Sequence, residues 1–390
     1  MIVLCLALAL QQPSDSLTLS DALERARRQR GIVASAAAGV AGARAAARTA
    51  GAIPNPTVSY SHTESTPVNH FLVDQPFDWL IRRGPDRAAG RAGVARAVAD
   101  SAGAVTSLLH EVRVAFYRAR AARLAESLVG AQASLADSVA GIAAARLRAG
   151  DISQLEQEQA ALEAHRARQT ESAARETARA AEADLARAVG WEGPAPGAAG
   201  ALDAGLDRIP GDSLEGSGLP AVRAAVADST AAAAQARSAG LARIPLPTLQ
   251  SGAEWGDDAQ PGALAVIGIS LPFPLWNHGG GAAAAAKARA EQTAALTREA
   301  RLDAVRQIRQ ARIHLEESAA RARDDRDALA PAAAALRART VRAYQAGETG
   351  ILPVLDALRT ERDVLLTTLR DQLTYQEALA DWYALAGRSE

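Results

Sequence analysis

Arg146-Leu147-Arg148-Ala149-Gly150-Asp151 and Ala343-Tyr344-Gln345-Ala346-Gly347-Glu348 read as one turn written twice. The first continues through Leu155 and Gln159-Ala160, the second through Leu352 and Asp356-Ala357, with no gap at a shift of 197 positions. The same shift carries Ala183-Asp184 onto Ala380-Asp381 and Gly190 onto Gly387. Upstream, Pro54-Asn55-Pro56-Thr57 matches Pro245-Leu246-Pro247-Thr248, and Pro76-Phe77 matches Pro272-Phe273. Landmarks in the same order twice indicate an internal duplication.

Each half is therefore expected to hold the same series of elements. Residues 17–190 form the first repeat and 219–390 the second. An opening helix is expected over about 18–50, with Thr18 and Ser20 as N-cap candidates, and its counterpart over about 219–241. Strand-like stretches follow, in hairpins at about 56–80 and 246–272. Long helical runs, 86–148 and 281–346, come next, then helices over 151–190 and 350–387. Gly150 and Gly347 sit where a C′ glycine ends a helix. Residues 191–218, rich in Gly and Pro, read as an irregular linker.

Composition fits long helices better than a thick core. About a quarter of the residues are Ala, and aromatics make up only 4%. Ala-rich helices approach closely and bury little area each, which suits coiled-coil-like packing. The balance of 43 basic and 44 acidic residues points away from nucleic acid. The basic cluster Arg82, Arg83, Arg87, Arg91 and Arg96 reads as a solvated helix face. Cys5 is the only cysteine, so disulfides and Cys-based metal sites within the chain are excluded. It lies in a signal-like segment, 1–16, whose apolar run Ile2 to Leu10 ends near a small-residue cleavage pattern, Ala7-Leu8-Ala9.

No helix reads as apolar enough to cross a bilayer, and a closed β-barrel is the other way to satisfy backbone polar groups in lipid. Four strands per chain have the length of outer-membrane strands but fall short of the eight needed to close. Pooling strands in a cyclic trimer gives twelve, together with twelve helical columns. The expected fold is thus mainly α with a small β part: a long antiparallel helical barrel plus transmembrane strands.

The order helix, hairpin, long helix, Ala-Gly turn, helix, taken twice, resembles the TolC-like outer-membrane efflux proteins, with a flavour of the heavy-metal-efflux branch. Tyr344 to Ala357 is similar to that family's second periplasmic turn and Gly150 to Ala160 to the first. The Pro-Asn-Pro before the first strand and Leu-Pro-Phe-Pro-Leu-Trp after the fourth are further landmarks. The resemblance implies an outer-membrane exit duct with its helical part in the periplasm. It would be a homotrimer, working with a periplasmic adaptor and an inner-membrane pump, with no cofactor. It also implies roles. Tyr344 falls on a gate tyrosine, Glu156 on the carboxylate that bonds it across neighbouring helices, and Asp356 on an aspartate ringing the entrance. Gln159 is the first-half counterpart of Asp356. Pro353 replaces the other entrance aspartate and Thr349 a gate arginine, which implies a thinner gate network. From the residues alone, Tyr344 also reads as a helix-packing aromatic, and Glu156 and Asp356 as solvated helical charges.

Other motifs carry less. His278-Gly279-Gly280-Gly281 and Gly211-Asp212-Ser213-Leu214 echo hydrolase signatures, but no Gly-x-Ser-x-Gly elbow accompanies them. The six histidines show no metal-ligand spacing, and no acid, base and nucleophile converge, so an enzyme is disfavoured. The competing reading is a periplasmic coiled-coil adaptor without a barrel. It leaves the paired strand-like stretches unexplained.

Overall fold

A computed structural model describes residues 16–387, apart from 194–195, 212–213, 258 and 260. The signal-like segment, with Cys5, and Ser213 of the hydrolase-like motif lie outside the described residues.

The elements run β1 (Ser16–Leu17), α1 (Leu19–Gln29), α2 (Gly31–Thr49), β2 (Thr57–His62), β3 (Asn69–Pro76), α3 (Trp79–Ala149), α4 (Gln154–Val189), β4 (Gly197–Ala198), α5 (Pro220–Leu241), β5 (Thr248–Trp255), β6 (Leu264–Ser270), α6 (Gly280–Asp324), α7 (Ala330–Gln345) and α8 (Ile351–Ala386). Two compact units are drawn from both halves of the chain. One comprises 16–33, 105–214 and 307–387; the other comprises 34–104 and 215–306.

The first unit is helical. Thr18 caps α1 by accepting from the Asp21 amide. The opening helix expected over 18–50 is broken at Arg30, whose extended backbone (ψ 122°) separates α1 from α2. The break has a local cause: the Arg30 guanidinium donates to the Arg187 and Ala188 carbonyls, at 2.9 and 3.0 Å, at the C-terminus of α4. A cation there meets the negative end of the helix dipole. Phe116, Leu108, Leu109, Val112, Leu185 and Val189 form the core between these helices. The linker is less irregular than its composition suggests. β4 pairs in parallel with β1, Leu202 and Leu206 are buried, and the Gln376 amide donates to the Leu202 and Ala204 carbonyls.

The two turns are the same motif. Gly150 and Gly347 both have φ of 81°. The Asp151 amide donates to the Arg146 carbonyl at 2.9 Å and the Glu348 amide to that of Ala343 at 2.9 Å. Those six-to-one bonds define a Schellman ending, which needs a left-handed residue.

The second long helical run differs from α3 in one way. Between α6 and α7 the chain makes a π-helical turn, Asp325–Leu329. Pro272 and Gly347 are 75 positions apart, whereas Pro76 and Gly150 are 74 apart. The extra residue is absorbed in the π turn, as such bulges do. Burial keeps its phase on both sides. Leu315 matches Ala119 before the turn and Ala333 matches Ala136 after it, all four buried. Asp325 is buried there beside Asp371 of α8. Burial first, then the hydrogen bond shared with Asp371 and the nearby Asp324 charge, push its carboxyl above the usual range.

The second unit carries the sheet, ordered β2-β3-β5-β6 and antiparallel throughout. β3 stops at Pro76, and α3 begins at Trp79, before the strand end expected there. Ser238 ties α5 to α3, donating to Asp86 at 2.6 Å and accepting from Arg82 at 3.3 Å.

One expectation needs correcting. Within α3 an 18-residue window reaches a mean hydropathy of 1.3 with at most two charged residues, so length and composition alone do not exclude it as a membrane span. The cause is alanine, which scores as apolar while adding little side-chain surface. The argument for a barrel must rest on the sheet.

Replacing Gly347 by Ala forces a side chain into the left-handed region and should cost about 1–2 kcal/mol, while Gly280→Ala, in open space at a helix start, should cost nothing. Thermal unfolding followed at the helical circular-dichroism band separates the two. Asp325→Asn should match wild type near pH 4 and become the more stable protein towards pH 8. A carboxyl with a raised folded pKa weakens the fold once pH exceeds its unfolded value of about 3.9. Equal pH profiles for the two proteins would refute the upward shift of the Asp325 carboxyl.

Candidate functional site: the paired helical turns

The candidate residues gather where α3 turns into α4 and α7 into α8. Apolar packing holds the turns together. Val139, Ala143, Ala160, Tyr344, Ile351, Val354, Leu355 and Leu358 form one buried cluster. Tyr344 sits inside it at 2% exposure, and the Arg146 guanidinium of the twin turn lies 4.6 Å from its ring centroid. A cation over a tyrosine face is attracted by the ring quadrupole. The Tyr344 hydroxyl has no hydrogen-bond partner among the described residues. A buried hydroxyl left unmet costs about 1–3 kcal/mol.

Within one chain Glu156 does not meet that hydroxyl. Its carboxylate closes a capping box at the start of α4, accepting from the Ser153 amide and hydroxyl, both at 2.9 Å. The Ser153 amide, then its hydroxyl, hold Glu156 below the ordinary carboxylate range. One Glu156 oxygen stands 4.0 Å from the position a Cβ on Gly350 would take, so the carboxylate lies beside the start of α8.

The two inner helices start differently. Gly350 is the N-cap of α8 without a side-chain bond, and Pro353 falls in the first turn, where no amide is needed. Pro353 stands at the 197-shift counterpart of Glu156, so a capping box in one half is replaced by a proline in the other. Asp356 is exposed on α8 and Gln159 is half-buried on α4.

Sequence reasoning missed two buried carboxylates beyond the turns. Glu163 of α4 accepts from Arg359 Nε at 3.0 Å, with Arg362 at 3.8 Å, and its hydrogen bond holds Arg359 above the usual range. Glu361 of α8 accepts from Arg337 of α7 at 3.1 Å and from Gln132 of α3 at 3.0 Å. Together they brace α8 against three helices. Arg359, Glu361 and Arg362 lie within four positions, yet charges so spaced look like any solvated helix surface until the packing is known.

Solved structures of outer-membrane channels share this fold. The chain matches CusC over 97% of its length and 95% of that chain, at 17% identity and a TM-score of 0.81. It matches VceC of Vibrio cholerae over 95% and 97%, at 20% identity and 0.78. The open state of the MtrE outer membrane channel of Neisseria gonorrhoeae matches over 95% and 89%, at 19% identity and 0.77. A search of curated protein sequences gives no significant match. Residues 216–388 match the family model described as outer membrane efflux protein. The resemblance read from the duplicated turns therefore holds.

Glu163→Gln strands the Arg359 guanidinium, while Arg362 keeps Asp363 at 3.1 Å, and should destabilise the fold by about 1–3 kcal/mol. That is less than a fully buried pair would cost, because the Arg359 side chain remains 43% exposed. Arg168→Gln, whose partner Asp137 is 3.7 Å away and exposed, should be near neutral. Chemical denaturation of both variants checks the contrast.

Proposed function

We propose that three copies of this chain form a passive exit duct through the outer membrane, as the final stage of a tripartite efflux pump. The observation that carries this is the sheet. Its register puts Val58, Tyr60, Phe71, Val73, Leu249, Trp255, Ile267 and Ile269 on one face, with His62, Asn69, Gln75 and Ser251 as its polar members. Ser59, Ser61, His70, Asp74, Gln250 and Glu254 lie on the other, where Leu72, Leu264 and Val266 are the exceptions. Ile267 and Ile269 are 81% and 73% exposed. An apolar exposed face opposite a polar one fits a strand set with lipid outside and water inside.

Both outer strands, β2 and β6, end the sheet with an open edge. Such edges are not left bare in lipid. Pairing β2 of each copy with β6 of the next closes a twelve-stranded barrel, a head-to-tail contact that a threefold axis completes. The helices then carry the lumen into the periplasm, and the paired turns form its entrance. Three Asp356 carboxylates and three Gln159 amides would line it, with Tyr344 and Glu156 contributing to a closed state that an adaptor and an inner-membrane pump release. The unmet Tyr344 hydroxyl supports this reading, since a neighbouring copy can supply the acceptor that one chain lacks.

In detergent the protein should run as a species of about three times 40.4 kDa, with migration that changes on boiling. A monomer that stays soluble without detergent rejects the duct and favours the coiled-coil adaptor. In planar bilayers, Tyr344→Phe combined with Glu156→Gln should raise single-channel conductance. Unchanged conductance removes the gate from these residues and leaves the duct standing.

A further inference from the structure

Positive charge is concentrated at one end of the sheet. The chain as a whole has a formal charge of −1. Yet the four fifteen-residue stretches that flank the helix-side ends of the strands, 42–56, 77–91, 233–247 and 271–285, contain eight arginines and two aspartates. The hairpin loops at the far end, 63–68 and 256–263, hold Glu64, Asp257 and Asp258 and no lysine or arginine.

The two aspartates do not neutralise the collar. Asp78 lies 3.5 Å from Arg82, and Asp86 is engaged by Ser238, which also takes Arg82. Among the described residues Arg44, Arg48, Arg83, Arg87, Arg91 and Arg243 have no carboxylate partner, and all but Arg83 are exposed. The stems of Arg83, Arg87 and Arg243 are packed against glycine-bearing turns. The Arg83 and Arg87 Cγ atoms lie 3.2 and 2.9 Å from where a Cβ on Gly51 would stand, and that of Arg243 lies 3.3 Å from the same point on Gly279. The Arg83 guanidinium also sits 5.6 Å from the Trp79 ring centroid.

The same level carries exposed apolar groups. Trp276 is 92% and Phe273 78% exposed, in the segment just past β6. Aromatic rings followed by unpaired arginines are the order in which a bilayer changes from acyl chain to phosphate.

We infer that this arginine collar binds the phosphate headgroups of anionic phospholipids in the leaflet on the helical side of the membrane, fixing the depth at which the sheet sits. The inference rests on the membrane reading of the sheet given above. An acidic protein surface would need the collar but not the adjoining Trp276 and Phe273, so the apolar rim favours lipid. Each unpaired arginine near an anionic leaflet contributes about a five-fold preference, falling as salt shortens the screening length.

The test reconstitutes the whole protein into vesicles of phosphatidylcholine alone and of phosphatidylcholine mixed with phosphatidylglycerol. Flotation scores insertion. Tryptophan quenching by brominated phosphatidylglycerol, against brominated phosphatidylcholine, scores headgroup preference, with Trp276 as the natural reporter. Wild type should float with both vesicles and prefer the anionic lipid by at least about five-fold, and the preference should vanish at about 1 M salt. The Arg83→Gln, Arg87→Gln, Arg91→Gln triple variant should float equally and lose that preference. Arg298→Gln with Arg301→Gln, further along α6, should keep it. Should the triple variant fail to fold, Arg44→Gln with Arg48→Gln and the salt titration of wild type decide instead. Wild type that floats with neither vesicle overturns the membrane reading itself. Flotation without an anionic preference, or a preference untouched by loss of the arginines, overturns the collar alone and points to a protein partner there.

Discussion

Backbone amides and carbonyls along the free edges of β2 and β6 are the constraint on which the rest of the molecule turns. Each is a strong hydrogen-bonding group, and in the proposed duct, with the apolar face in lipid, water could not serve both edges. A single chain can neither close its sheet nor cover it. The helices answer to the same need. Their Ala-rich surfaces pack little within the chain, so several apolar side chains on α6, Leu302 and Ile313 among them, stay exposed.

Much of this was legible before any coordinates. The duplicated Ala-Gly turns located both Schellman endings, and the Pro-bounded stretches placed all four strands of the sheet to within a few residues. Which face of each strand is apolar was not legible. Alternation along a single strand is interrupted by residues such as Ser251, Leu264 and Val266, and only the pairing of four strands aligns the scattered apolar positions into one surface. The break at Arg30 was equally hidden, because its partners are carbonyls 157 and 158 positions away.

The turn residues show the same limit. Tyr344, Glu156, Asp356 and Gln159 were found from a motif, and the structure brings their turns together. The bonds within one chain are different from those the motif implies. Glu156 is occupied with Ser153, and Tyr344 stacks under Arg146 with its hydroxyl unmet. The braces at Glu163 and Glu361 had no signal in the sequence, since an acid that will be buried looks the same as one that will be solvated. Their effect is to tie α8 to α3, α4 and α7 immediately beyond the turns.

The π turn at Asp325–Leu329 bears on how such a chain can evolve. One residue added to a plain α-helix rotates everything beyond it by about 100°. Here that rotation would swing Tyr344 out of its pocket and away from the facing arginine. A local widening of the coil takes up the surplus, and the downstream helix keeps its orientation. The two halves of the ancestral repeat were thus free to drift in length without spoiling the packing of the paired turns, and the scar of that drift is a buried acid where its sister helix carries none.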